Sequence, residues 1–156
     1  MTAIAISRAE SSVRSSRRSV VRAIARRLPA VSRGLLGFVF FLAGLNGFLN
    51  FMPAPTSMPK GALDFMVAMV HTGYFFQLLA GTQLLAGALL LANRYVPLAL
   101  LLLAPVIVNI VAFHAFLLPS GFVMAAVVFT LELHLAITYR AAYRSVLAAR
   151  VSPATR

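Results

Sequence analysis

The chain has no cysteine, and among its 156 residues only three are acidic: Glu10, Asp64 and Glu132. Without thiols there are no disulfide frameworks, thiolate nucleophiles, CxxC redox pairs or Cys-ligated metal and iron–sulfur sites. Charge is scarce as well. Charged residues make up 11% of the chain and hydrophobic residues 61%, and the mean hydropathy is +0.91. An ordinary soluble domain is about one quarter charged and about half apolar. Beyond position 33 there are too few polar side chains to cover the apolar ones, so the solvent must include lipid. The length suits one domain, and a four-helix bundle uses nearly all of it.

The net charge of +11 is concentrated. Eight of the fourteen basic residues, Arg8, Arg14, Arg17, Arg18, Arg22, Arg26, Arg27 and Arg33, precede the first long apolar run. A basic segment beside a membrane span is attracted to anionic lipid and sets orientation, which accounts for the charge without nucleic acid. Val13, Val20, Val21, Ile24, Leu28 and Val31 recur at near-helical spacing between these arginines. Residues 1–33 therefore read as a basic cytoplasmic or interfacial segment, with Arg14, Arg17, Arg18, Arg22, Arg26 and Arg27 meeting lipid headgroups. Two other readings remain open, a twin-arginine export signal around Arg17-Arg18 and an organelle transit peptide.

Four apolar runs follow, at about 34–52, 74–92, 97–118 and 121–139. Each approaches the ~20 residues needed to cross ~30 Å of hydrocarbon, and none alternates polar with apolar residues as barrel strands do. The expected fold is an all-α, integral membrane four-helix bundle over 34–142, followed by a cytoplasmic tail over 143–156. Residues 61–92 are too long for one upright span, since 32 residues would reach ~48 Å as a single helix. A break at Thr72-Gly73 leaves a short interfacial helix over about 59–71, with Pro59 in its first turn and Ser57 as its cap. With both termini cytoplasmic, thirteen of the fourteen basic residues lie inside and only Lys60 lies outside, in accord with the positive-inside rule.

Polar residues within the spans mark candidate sites. Counting from the outer helix ends places Gln83 and Asn109 at ~14 Å depth and Glu132 at ~17 Å. A carboxyl at that depth is unfavourable by several kcal/mol unless it is paired, hydrated or protonated. The three residues read either as hydrogen-bonded glue between helices or as a midplane polar cavity for a lipid-soluble molecule such as a quinone headgroup. Nearer the outer face, Asn46, Asn50, His71 and His114 form a second polar group, with no ligand set that specifies a metal. His134 lies about 200° around the fourth span from Glu132, flanked by Thr130 and Thr138, which suggests a homo-oligomer contact through that span. Pro105 is expected to disturb the third span and free a backbone carbonyl.

The segments Gly44-Leu45-Asn46-Gly47-Phe48-Leu49-Asn50-Phe51, Thr72-Gly73-Tyr74-Phe75, Thr82-Gln83-Leu84-Leu85-Ala86-Gly87, Arg94-Tyr95-Val96-Pro97-Leu98-Ala99, Leu103-Ala104-Pro105-Val106-Ile107-Val108-Asn109-Ile110 and Phe113-His114-Ala115-Phe116-Leu117, ending at Pro119-Ser120-Gly121, resemble in order and spacing the DoxX family of small membrane proteins. The resemblance covers roughly 34–142. It implies four membrane helices in a bacterial or archaeal plasma (inner) membrane. It also implies a quinone-linked redox subunit or a membrane anchor for a redox protein partner. Relatives often carry a glutamate where this chain has Gln83, and no catalytic residue transfers. A transporter, a lipid-handling protein or a non-catalytic scaffold is the alternative that the residues leave open.

Overall fold

The computed structural model describes residues 27–53, 57–144, 146 and 148. The expected headgroup residues Arg14, Arg17, Arg18, Arg22 and Arg26 lie outside the described residues, as does most of the tail. Among the described residues there is no strand. In chain order the helices are α1 (Arg27–Leu49), α2 (Lys60–His71), α3 (Phe75–Leu91), α4 (Val96–Phe116) and α5 (Phe122–Thr138), with 3-10 turns at Pro119–Gly121 and Arg140–Tyr143. The contacts described below lie within residues Ser32 onward, which form one unit.

Three segments are long and apolar enough to cross a membrane: α1, α4, and Pro119–Thr138, which contains α5. The pair α2 and α3 makes a fourth if it is counted as one span, although the two helices meet at 92°. The break falls where the sequence indicates. Gly73 takes φ +76°, the left-handed conformation that glycine adopts without a steric penalty. Thr72 ties the corner together: its hydroxyl donates to the Met69 carbonyl at 2.7 Å and accepts from the Phe75 amide at 3.0 Å. At the start of α2, Pro59 occupies the cap position with no side-chain cap bond, so the expected role of Ser57 is not taken up.

The other helix ends follow equally local chemistry. α1 stops at Asn50, which takes φ 49°, while the Asn46 side-chain oxygen accepts the Met52 amide at 2.7 Å. Between α3 and α4 the chain reverses through two left-handed residues, Asn93 at φ 55° and Tyr95 at φ 51°. Pro97 then sits in the first turn of α4, where a missing N–H leaves no helical bond unmade. Pro105 lies inside α4. It has no N–H, so the Leu101 carbonyl lacks its i+4 donor.

One apolar cluster draws on four helices, with Leu36 and Phe40 from α1, Ala86 and Leu90 from α3, Leu100, Leu103 and Ile107 from α4, and Val128 and Leu135 from α5. The backbones of α1 and α3 approach closely. A methyl built on Gly37 would lie 2.9 Å from the Leu90 Cβ, one on Gly44 would overlap the Leu84 backbone, and one on Gly87 would overlap the Phe41 backbone. In lipid, where both helix surfaces are as apolar as their surroundings, such close packing is the main attraction available.

Candidate functional site

On α5 the buried residues are Ala125, Val128, Glu132 and Leu135. Their alternating steps of three and four residues define one helix face, and Glu132 falls on it because its position fits that repeat. The face meets α4, whose buried residues include Leu100 and Leu103. Only 7% of Glu132 is exposed, and its Oε2 is covered with no hydrogen-bond partner.

Glu132 lines a cavity of about 200 Å³ together with Leu100, Leu101, Ala104, Ala136, Tyr143 and Val146. Past the end of α5, the 3-10 turn Arg140–Tyr143 carries the buried Tyr143 back to the first turn of α4. There its hydroxyl donates to the Pro97 carbonyl at 3.3 Å. Burial raises the pKa of the Tyr143 phenol above its usual value, and the nearby Glu132 charge adds to the shift. The cavity surface is therefore apolar, with the covered Glu132 carboxyl and the engaged Tyr143 phenol belonging to residues in its walls. Leu101 and Val146, both more than 40% exposed, leave those walls open to the surroundings.

The expected midplane trio does not come together in one hydrogen-bonded group. Glu132 is buried and Gln83 half-buried, but Asn109 is exposed, and neither amide lines the cavity. The counted depths are similar, but direction around the helix separates the residues: Asn109 is two positions past the buried Ile107, which turns it about 200° away.

The outer-face residues are also separate. Asn46 is committed to the Met52 amide, Asn50 terminates α1, and His71 is exposed at the last turn of α2. His114 is half-buried. Its Nδ1 lies 2.8 Å from the Ile110 carbonyl, and because a carbonyl can only accept, that nitrogen carries the proton. The imidazole fills the space where a Gly121 Cβ would stand. Among the described residues no three His, Cys, Asp or Glu side chains cluster as metal ligands.

On α5, His134 is half-buried and its Nε2 is covered with no partner. The exposed Thr130 and Thr138 hydroxyls donate to the Ala126 and His134 carbonyls within their own helix. Sequence reasoning missed Tyr143, which it assigned to the tail. A signal was present: Glu132, Ala136 and Tyr143 are spaced by four and seven residues, which keeps them on one side of a continuing helix. No family model, curated protein or solved structure matches the chain.

Proposed function

We propose that this chain is a DoxX-like, four-crossing protein of a bacterial or archaeal inner membrane. In this arrangement both termini are cytoplasmic, α2 lies along the outer surface, and the α4–α5 cavity holds the ring of a lipophilic quinone. The right angle between α2 and α3 supports the arrangement, since an upright α3 lays α2 in the membrane plane. Basic residues support the orientation, with Arg94, Arg140 and Arg144 at the end opposite Lys60.

The observation that carries the ligand assignment is the unpartnered, covered Oε2 of Glu132, a residue that lines an apolar cavity. Protonated, that carboxyl donates one hydrogen bond to a ring carbonyl, which meets the need of both groups. The cavity, at about 200 Å³, is smaller than the roughly 300–1,000 Å³ of drug-sized sites. It suits a ring whose isoprenoid tail remains in lipid. Bound there, the quinone would supply two-electron carrier chemistry. The residues of this chain orient the ring and exclude water, and electrons come from a partner.

The test is titration of a short-tailed ubiquinone analogue into the purified protein in lipid nanodiscs, read by thermal stabilisation. Glu132→Gln keeps a donor and retains stabilisation, whereas Glu132→Leu loses it. Equal stabilisation of both variants refutes the site.

A further inference from the structure

Of the three acids, Asp64 has its counterion, Lys60, at 2.7 Å, and Glu10 lies outside the described residues. Among the described residues that line its cavity, Glu132 faces no base. α4 contributes Leu100, Leu101 and Ala104 to the cavity and α5 adds Ala136, while the segment beyond contributes Tyr143 and Val146. No residue of α1 or α3 lines it. Among the described residues Tyr143 is the only other titratable group in the walls, and its proton is held on the Pro97 carbonyl. Arg140 and Arg144 flank Tyr143 and are exposed, so solvent screens them. His134 is on the opposite side of α5.

A carboxyl enclosed this way can meet its electrostatic need by holding a proton or by holding a cation. The surroundings favour a particular kind of cation. Tyr143 is one of the lining residues, and aromatic side chains attract alkylated ammonium groups. Leu101, also in the wall, has a carbonyl deprived of its helical donor by Pro105. The volume accommodates a compact head, and the opening beside Leu101 and Val146 gives a hydrocarbon substituent somewhere to go.

We infer that the Glu132 cavity is an exchange site in which a proton and a lipophilic monovalent cation, an alkylated ammonium, compete for the same carboxylate. Binding breaks the Glu132 O–H bond and releases that proton to water. The cation takes its place as an ion pair, no covalent bond forms, and the net charge of the site is unchanged. The inference rests on the cavity proposed above but not on the quinone ring.

The experiment uses the full chain in dodecyl maltoside micelles, whose headgroup carries neither charge nor ammonium, and benzyltrimethylammonium as the probe. Calorimetric titrations at pH 6 and pH 8 in buffers of different ionisation heat read affinity and proton release together. While Glu132 remains protonated, the apparent affinity rises about tenfold per pH unit, and about one proton leaves per cation bound. Glu132→Gln loses the cation at both pH values while keeping wild-type helical circular dichroism and monodisperse elution, which show that it is folded. Tyr143→Leu weakens the cation several-fold.

Cation binding without proton release, or unchanged by Glu132→Gln, overturns the inference. No cation binding by a wild-type protein that still binds the quinone analogue overturns it alone. Failure of both ligands removes the cavity reading as well. Cation binding with proton release but no quinone binding upholds it and leaves only the quinone reading refuted.

Discussion

The α1–α3 and α4–α5 interfaces solve the same problem in opposite ways. Between α1 and α3, glycines bring the backbones so close that Gly44 and Gly87 have no room for one more carbon. Between α4 and α5, a cavity of about 200 Å³ remains, with a carboxyl group on its wall. A tight apolar interface provides stability but binds nothing. An open one containing a buried polar atom gives up packing for a place where a ligand can complete the structure. The contrast is between an interface with no room for a ligand and one that leaves a cavity beside a carboxyl.

The strongest way to break that contrast is at the glycines. Gly44→Val drives two branches into the Leu84 backbone and should abolish folded protein, judged by monodisperse elution in mild detergent. Gly44→Ala should cost about 1–3 kcal/mol by overpacking, read from denaturant unfolding.

At the other interface a substitution should have the opposite sign. Glu132→Leu replaces an unsatisfied polar atom with hydrocarbon beside a void and should raise thermal stability while eliminating ligand binding. If Glu132→Leu destabilises as strongly as Gly44→Ala, the carboxyl is structural and the contrast fails.

Tyr143→Phe removes the hydrogen bond to Pro97 and should lower stability by about 0.5–1.5 kcal/mol, with faster ligand release because the ring is less firmly held. The smallest effect belongs to Asn109→Leu. The amide is exposed, so its loss should be neutral or slightly stabilising by the same unfolding measurement.

The apolar runs and the break at Thr72-Gly73 were legible in the sequence because local chemistry sets them. A stretch too long to span and a glycine able to adopt positive φ need no knowledge of the partner helices. The site was legible only in part. Depth can be counted along a helix, so Glu132 stood out, but depth alone does not give direction, and Asn109 proved to face outward. Tyr143 follows the end of α5 and reaches the cavity only because a 3-10 turn folds it back to Pro97, a path that hydropathy cannot follow. Asn46 looked like a member of a polar site because its demand for hydrogen bonds is visible in sequence. The Met52 amide that meets this demand becomes apparent only once the end of α1 is known.

The corner at Thr72 also has a consequence for the lipid. By ending α2 there, it leaves α3 with 17 residues, about 25 Å of helix against a hydrocarbon layer of ~30 Å. In the four-crossing arrangement the longer α4 spans that layer comfortably and α3 does not. The bilayer must then thin along one side of the protein, at an expense of fractions of a kcal/mol per ångström. The protein would carry its own patch of thinned membrane and be drawn toward shorter-chain lipids, and other proteins with short spans would gather beside it to share the deformation.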